Sequence, residues 1–494
     1  MRRIGLLYTK GALPFLEGFG NLPTDVVRGD GLVDGKPASK ILDMIIIPGG
    51  TLVESGLSRE ICTEIERMHE EGKFILGICS GFQILATKTD IGRRAPTPIC
   101  KEGLGLLNVE FEPMICTDWV DARAIGKSFL TDGVTTVQGF HAHTYGKMAN
   151  KEMVILESEV DRLDYKETGE TIISGVVNRE GNVAGILIHR LLDENDAVLN
   201  SVLDALDISE GGYVKIKERN KGLLKPLRSE IGIDTEIYSK KAGSEAKGEV
   251  LLIASSNTGS GKTFVSTGIA GVLKKQGLKV NVCKIASDVR DLMPSLYLIK
   301  EEMRRSSSIE IGDIGWSDLR DVVTSTRDYD ITVIEGVMGL LTGLLKDGVK
   351  HPFSTGEIAL TLGIPAILVL ECDESGIEGS LAEYMGYSKV ADALGIEIGG
   401  VILNKVHSDR EEKEIFEGAG IPVLGVIPKE ELGHRGTIPE VEIRLEEFAE
   451  YALRVAERYI HLKGILNIAK KPRIKGVDFE DLRERFLAVY NNIR

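Results

Sequence analysis

Short apolar runs alternate with amphipathic helical patterns in two separate blocks, and this pattern limits the fold more than any other feature. Such runs are typical of buried strands in parallel sheets, which are covered by helices on both faces. The runs are RIGLLY, DMIIIP, KFILGIC and VAGILIH in the first block, and EVLLIAS, DITVIEG, PAILVLE, GGVILN and PVLGVIP in the second. The sequence therefore predicts an α/β protein of two domains, each a mostly parallel sheet covered by helices.

The length and the composition between the blocks suggest where the domains end. At 494 residues the chain is too long for one ordinary core. The stretch between the blocks is rich in Lys, Glu, Gly and Ser, which is typical of a linker, and the last residues carry amphipathic helical patterns. We predict four segments in chain order: 1–205, the first domain; 206–247, a linker; 248–470, the second domain; and 471–494, a C-terminal helical tail.

Charge and hydropathy exclude several classes of protein. The net charge of −15 argues against nucleic-acid or anionic-membrane partners, although the acidic surplus also serves solubility alone. No run of about 20 apolar residues appears, and the N-terminus lacks a signal-peptide pattern, so we expect a cytoplasmic protein. The six cysteines lack metal-ligand spacing, which suits reduced thiols.

A glycine-rich loop follows the first strand of the second block. SNTGSGKT lies between EVLLIAS and an amphipathic helix, which is the setting of a phosphate-binding loop. Gly259 and Gly261 would let backbone N–H groups approach the phosphates. Lys262 would reach the terminal phosphates, and the hydroxyl of Thr263 suits Mg²⁺. Although Ser256 replaces the first glycine of the general pattern, we predict an ATP and Mg²⁺ site; the alternative is a glycine-rich turn with an exposed lysine.

Charged side chains near the ends of neighbouring strands are candidates to complete this site. Glu335 ends DITVIEG, where a carboxylate would lie at the carboxyl edge of a parallel sheet. Asp288 follows KVNVCKI and is a candidate second metal ligand, while Lys284 is a candidate to stabilise developing phosphate charge. Asp288 and Lys284 are equally compatible with ordinary solvated charges.

A cysteine ends one strand of the first block and precedes a helical run. In GICSGFQIL a sharp strand-to-helix turn would expose the sulfur of Cys79, and the N–H of Ser80 would face a substrate carbonyl. The PGG turn could supply a second oxyanion-hole donor from Gly50. The pattern therefore predicts a thiol nucleophile with part of an oxyanion hole; the alternative is a buried, inert cysteine.

A cysteine nucleophile needs a base, and three histidines compete for that role. His189 ends the strand VAGILIH, in a position comparable to that of Cys79. His141 and His143 lie in QGFHAHTYG. Local sequence leaves the choice open, because a lone histidine is more often structural than catalytic.

These motifs resemble the cobyrinic acid a,c-diamide synthase and cobyric acid synthase family of amidoligases. The resemblance runs through SNTGSGKT, IEGVMGLLTG, STGEIALTLGIPAILVLE, GGVILNKV and IPVLGVIPK in the second block, and through GICSGFQIL, EGLGLLNVEF, QGFHAHTYG and GILIHRLLDEN in the first. It implies a flavodoxin-like glutamine amidotransferase domain followed by a dethiobiotin synthetase-like P-loop domain. It also implies Cys79 as nucleophile, His189 as base and Asn404 as the residue that reads adenine.

The chain departs from the family pattern at three points. The amidotransferase domain comes first, which reverses the usual order. Leu191 stands where other class I amidotransferases have a glutamate, and this family characteristically works without it. KIASDVRDLMP replaces a motif resembling K-V-G-P-D-Y-I-D-P near the substrate carboxylate, which leaves the substrate less certain than the reaction.

The resemblance implies a two-site reaction. Glutamine would be hydrolysed through a thioester, ATP would phosphorylate a substrate carboxylate, and ammonia would displace the phosphate. The substrate would be a carboxylate-bearing small molecule such as a tetrapyrrole, and a homodimer stays open. Two alternatives also stay open: an amidoligase for a different acid, and a regulatory P-loop ATPase with a degenerate amidotransferase domain.

Overall fold

The computed structural model describes residues 1–233, 247–346, 348, 350–407, 411–429 and 444–491. The chain divides into two compact units. Among the described residues, the first unit contains 1–231 with two short later segments, 300–303 and 444–446, and the second unit contains the others.

A nine-stranded sheet forms the centre of the first unit, in the order β11-β10-β13-β14-β15-β6-β5-β1-β2. The five strands from β15 to β2 are parallel, and the other four extend the sheet in antiparallel fashion. The strands of this sheet are β1 (Ile4–Leu7), β2 (Asp25–Val27), β5 (Met44–Ile47), β6 (Phe74–Ile78), β10 (Trp119–Ala124), β11 (Thr136–Phe140), β13 (Met153–Leu163), β14 (Lys166–Val177) and β15 (Val183–Ile186).

Smaller sheets and six helices complete the first unit. The small-sheet strands are β3 (Leu32–Val33) and β4 (Lys36–Pro37), which pair with each other, and β7 (Lys88–Asp90), β8 (Cys100–Glu102), β9 (Val109–Glu112) and β12 (Lys147–Asn150), which form a four-stranded sheet. The helices are α1 (Ala38–Ile41), α2 (Arg59–Glu70), α3 (Ser80–Leu85), α4 (Leu191–Glu194), α5 (Asp196–Ala205) and α6 (Glu210–Glu230).

Helix α2 illustrates how the sequence sets the boundaries and orientation of a covering helix. The hydroxyl of Ser58 accepts the N–H of Ile61 and so satisfies one of the unpaired donors of the first turn. Ile61, Ile65 and Met68 follow helical spacing and are all fully buried. Because β5 is buried along its whole length, the central parallel strands need such covering elements.

A seven-stranded, fully parallel sheet forms the centre of the second unit, in the order β18-β17-β19-β16-β20-β21-β22. The strand order reverses at β16, and ligands of open α/β sheets bind at the carboxyl ends of the strands beside such a reversal. The strands are β16 (Glu249–Ser255), β17 (Val280–Ile285), β18 (Ser308–Ile309), β19 (Ile331–Glu335), β20 (Ala366–Glu371), β21 (Ile398–Val406) and β22 (Val423–Pro428).

Helices accompany this sheet. They are α7 (Lys262–Lys275), α8 (Met293–Ile299), α9 (Leu319–Thr326), α10 (Thr355–Leu362), α11 (Gly376–Leu394), α12 (Glu411–Gly418), α13 (Leu445–Tyr459), α14 (Leu462–Ile468) and α15 (Phe479–Asn491). The predicted α/β class is confirmed in both units by the sheet topology. Among the described residues, no helix combines the length and apolar character that a membrane-spanning segment needs.

Two predicted segments take part in the compact units. Residues 210–230 of the predicted linker form α6, which belongs to the first unit. Residues 234–246 of that linker lie outside the described residues. Within the predicted tail, α15 belongs to the second unit, where Leu482 is part of the hydrophobic core. The boundaries between the four predicted segments stay predictions.

Candidate active sites

Cys79 occupies a strained turn between β6 and α3. Its backbone has φ 52° and ψ −108°, a combination that few residues other than glycine adopt. A Cβ atom on Gly77 would lie 2.6 Å from the carbonyl oxygen of Gly81, and one on Gly81 would lie 2.0 Å from that of Ile47. The spacing Gly-x-Cys-x-Gly is therefore what lets the strand, the turn and the helix pack this closely.

His189 lies near Cys79 because their strands are neighbours. Strands β6 and β15 are parallel and pair Ile78 with Ile186, so both residues follow the carboxyl ends of adjacent strands. The imidazole of His189 is fully buried and stacks on Phe140, with 5.0 Å between ring centroids. The predicted Cys79 and His189 pair is thus brought together at one edge of the sheet.

The electrostatic surroundings of His189 favour its charged form. Burial lowers the pKa of this imidazole, but the side chains of Cys79 and Glu17 outweigh burial and raise the pKa to about 10. Nδ1 of His189 donates to Oε1 of Glu17 at 2.8 Å. Nε2 is buried and makes no hydrogen bond to any described residue, although the thiol is close enough to influence the pKa. A protonated His189 beside Cys79 would stabilise a thiolate.

The competing histidines are held by other partners. Nε2 of His141 lies 3.0 Å from the hydroxyl of Ser158, and burial followed by the nearby histidines keeps the pKa of His141 well below its usual value. Nδ1 of His143 lies 3.2 Å from the carbonyl oxygen of Met114. These contacts favour structural roles for both residues.

The predicted oxyanion-hole residues are chain neighbours of this site: Ser80 follows Cys79, and Gly50 follows Gly49, which packs against His189. Gly50 forms an antiparallel bridge with Ala12, in which the N–H groups of Leu13 and Thr51 are the donors. Ser80 is buried and begins α3 directly after Cys79. The backbone N–H of Gly50 is therefore not used as a donor in this bridge. This is compatible with its donating a hydrogen bond to a substrate oxygen.

The phosphate-binding loop of the second unit has the expected backbone. Gly259 and Gly261 both have φ 91°, where residues with a Cβ are strained. A Cβ on Gly261 would lie 2.3 Å from Nδ2 of Asn404, which donates to the carbonyl oxygen of Ser260 at 2.8 Å. Asn404 therefore lies against this loop, at the end of β21, and supports its shape. Ser256 is buried, and its hydroxyl has no hydrogen-bond partner among the described residues.

Lys262 is held by protein acceptors at the base of the loop. Its ammonium donates to the hydroxyl of Ser255 at 2.7 Å and to the carbonyl oxygen of Met338 at 2.8 Å. Burial, and then the positive charge of Lys284, lower the pKa of Lys262 to about 8. An anionic ligand would reverse this shift, since it stabilises the charged form.

Glu335 is the central hydrogen-bond acceptor of the polar network beside the loop. Its Oε1 accepts the hydroxyl of Thr263 at 2.8 Å and the ammonium of Lys284 at 2.6 Å, and its Oε2 accepts the hydroxyl of Ser266 at 2.8 Å. Lys284 also donates to Asp291 at 2.8 Å. Burial lowers the pKa of Lys284, but the two carboxylates outweigh burial and raise it.

The oxygen atoms of Thr263 and Glu335 fit a Mg²⁺ ion that binds together with a nucleotide. Mg²⁺ prefers hard oxygen ligands and usually takes one or two from protein, with the rest from phosphates and water. The described residues contain no cluster of three or more His, Cys, Asp or Glu side chains suited to a metal. Asp288, the other predicted ligand, instead binds Arg290 through both oxygens at 2.9 Å.

Sequence reasoning missed two carboxylates that the structure brings to these sites. Asp291 follows Asp288 by one short helical turn, Val289–Leu292, which returns it to Lys284. The spacing of acids in KIASDVRDLMP was a usable signal for it. Glu17 lies 172 positions from His189 in an irregular segment, so no local pattern pointed to it.

The fold and the two sites define a class: a thiol amidotransferase-type domain joined to a P-loop nucleotide-binding domain. Residues 27–197 match the CobB/CobQ-like glutamine amidotransferase domain, and residues 251–435 match the CobQ/CobB/MinD/ParA nucleotide binding domain. The chain therefore contains a region similar to each of these two domains, with the amidotransferase domain first.

Curated relatives resemble parts of the chain. Cobyrinate a,c-diamide synthase of Thermoplasma volcanium is 31% identical over 48% of this chain and 52% of its own length. The same enzyme of Caldanaerobacter subterraneus is 30% identical over 48% of this chain and 52% of its own length. Hydrogenobyrinate a,c-diamide synthase of Streptomyces coelicolor is 35% identical over 39% of this chain and 40% of its own length. The chain spans about half the length of these relatives or less.

Proposed function

We propose that the chain is a glutamine-dependent, ATP-consuming amidoligase. The observation that carries this proposal is the pairing of Cys79, on its strained turn, with a buried His189 whose pKa is raised to about 10. Glutaminase chemistry needs such a nucleophile and proton donor together. The phosphate-binding loop of the second unit supplies the nucleotide chemistry that carboxylate activation needs.

The first half-reaction releases ammonia from glutamine. The Cys79 thiolate attacks the side-chain amide carbon, and N–H groups such as those of Gly50 and Ser80 stabilise the oxyanion. His189 passes its Nε2 proton to the departing nitrogen, so that ammonia leaves and a glutamyl thioester remains. Water then attacks the thioester, His189 takes its proton, and glutamate is released.

The second half-reaction activates a carboxylate. Lys262 and the loop N–H groups hold the phosphates of ATP, and Lys284 stabilises charge on the phosphoryl group as it moves to the substrate carboxylate. Thr263 and Glu335 would hold Mg²⁺, which neutralises phosphate charge when bound. Ammonia then displaces phosphate and forms the amide. ATP is needed because a carboxylate oxygen is a poor leaving group.

The proposed substrate is a polycarboxylate tetrapyrrole. The support is the resemblance to this family and to relatives that are diamide synthases of cobyrinate and hydrogenobyrinate. Lys284, at the end of β17, and Arg290, in the turn that follows, are two cations in the segment where the chain departs from the family, and both are mostly buried against carboxylates. Binding of such a polyacid should weaken as salt rises, because salt screens charge contacts.

The experiment that tests this proposal is an assay of the full chain with glutamine, ATP and a panel of tetrapyrrole carboxylates. Glutamate release and ADP formation are measured together with the mass change of the macrocycle, which reports each carboxyl group that becomes an amide. Glutamate release, ADP formation and the mass change should all require the same macrocycle. Glutamate release and amidation of another acid would preserve the reaction and reject the substrate. Nucleotide hydrolysis with no glutamate release under any condition would favour a regulatory ATPase.

A further inference from the structure

The segment of residues 10–22, here called the N-terminal strap, runs between β1 and β2 and is mostly buried. Within it, the side chain of Glu17 is 1% exposed, as is that of His189. Oε1 of Glu17 accepts Nδ1–H of His189 at 2.8 Å, and Oε2 accepts the backbone N–H of Arg190 at 2.8 Å. Both carboxylate oxygens are therefore engaged, by the consecutive residues His189 and Arg190.

Contacts on both sides of Glu17 fix the strap. Upstream, Leu13 donates its N–H to the carbonyl oxygen of Gly49 at 2.9 Å. Downstream, Asp193 accepts the N–H groups of Gly18 and Gly20, each at 2.7 Å. The carboxylate of Glu17 is thus held by backbone contacts that do not depend on His189.

We propose that Glu17 is the positioning residue that completes a Cys79, His189, Glu17 triad, supplied by the N-terminal strap. A buried carboxylate on Nδ1 fixes the tautomer and ring orientation of a histidine and stabilises its charged form. The position two residues after the histidine, where a class I glutamate would stand, holds a buried Leu191. This inference rests on the proposed glutaminase reaction, in which Glu17 holds the Nδ1–H of His189 while the transferred proton moves to and from Nε2.

Charged groups from several elements surround His189, so the contribution of Glu17 needs a specific test. Cys79 and Glu17 raise the pKa of His189. His141 and His189 influence each other, and Glu17 raises the pKa of Asp193, which burial has already raised, to about 6. Glu17→Gln removes the charge and keeps the shape, whereas Glu17→Asp keeps the charge and shortens the side chain.

The test measures glutamate release by the full chain against pH for the wild type, Glu17→Gln and Glu17→Asp. A matched control is Glu194→Gln, which makes the same change in an exposed residue that binds Arg190 at 2.7 Å and does not bind His189. Glu17→Gln should lower kcat by about 10²- to 10⁴-fold without a matching rise in KM. Its alkaline limit of activity should also move to lower pH, because the imidazolium loses a negative neighbour. Glu17→Asp should keep the wild-type alkaline limit of activity. Glu194→Gln should keep both the wild-type kcat and the wild-type alkaline limit.

A wild-type rate and pH limit in a folded Glu17→Gln variant would overturn the inference. A second measurement covers the case in which the wild type releases no glutamate, which would count against the proposed function. Nitrogen-15 NMR of the imidazoles, with the His189 signals identified by their loss in His189→Gln, gives the pKa of His189 directly. That pKa should fall in Glu17→Gln whatever reaction the site performs. An unchanged pKa would contradict the triad.

Discussion

The ammonium of Lys284 lies 2.6 Å from Oε1 of Glu335, the oxygen that also accepts the hydroxyl of Thr263. The carboxylate proposed to hold Mg²⁺ is therefore paired with a lysine of the neighbouring strand. A buried charge without such a partner would be costly. The nucleotide site thus holds its charges in position, and a bound ion would share Glu335 with Lys284.

The polar network of the phosphate site predicts the effect of substituting Lys262 or Glu335. Lys262→Ala removes a cation that neutralises phosphate charge, and Glu335→Gln removes the carboxylate that Thr263 and Lys284 share. Each should lower ATP-dependent amide formation by about two orders of magnitude or more. Lys275→Ala, at the end of the same helix, should leave the rate unchanged. Near-normal product from both site variants would place ATP elsewhere.

The lowered pKa of Lys262 predicts that ATP binding takes up protons. Free Lys262 has a pKa of about 8, and phosphates should raise it toward its ordinary value. Near pH 8, binding should therefore take up about half a proton, and affinity should fall as pH rises above 8. Calorimetry in two buffers of different ionisation enthalpy measures this uptake. Equal heats in both buffers at this pH would contradict the assignment, and Lys262→Ala should abolish the difference.

The packing of Gly49 against His189 predicts a strong effect of one methyl group. A Cβ on Gly49 would lie 2.5 Å from Cε1 of His189, so Gly49→Ala should displace the ring. Glutaminase activity should fall about 10²-fold or more, and the free energy of unfolding should fall by about 1–3 kcal/mol.

The matched control for this substitution lies in a helix. Gly222→Ala meets no atom within 4 Å in α6 and should stabilise the protein by about 0.5–1 kcal/mol with normal activity. Thermal unfolding and glutamate release measure both variants. Full glutaminase activity of a folded Gly49→Ala protein would mean that this activity does not depend on the position of the His189 ring.

Local patterns predicted much of the fold and of the sites. The buried runs became β1, β5, β6 and β15 in the first unit, because period and apolar content suffice for strands covered on both faces. The sequence predicts a linker where α6 forms, because the three glycines, Pro226 and many charges of this helix hide its periodicity. Glu17 could not be predicted, since only the tertiary fold brings an irregular segment to His189. Asp291 depends on the geometry of one short turn.

The central claim is that the thiol of Cys79 only makes ammonia, which a separate site then uses. Cys79→Ser keeps the volume of the side chain but gives a much weaker nucleophile. Cys100→Ser, which changes an exposed thiol in the same unit, is the control and should behave as the wild type.

The decisive measurement is ATP-dependent amide formation by Cys79→Ser, first with glutamine and then with a concentrated ammonium salt at mildly alkaline pH. We expect no product with glutamine and restored product with ammonia, because the phosphate site lies in a unit with its own core. Loss of both reactions in a folded, ATP-binding variant would contradict the account by placing Cys79 in the ligase chemistry, and retained use of glutamine would place the nucleophile elsewhere.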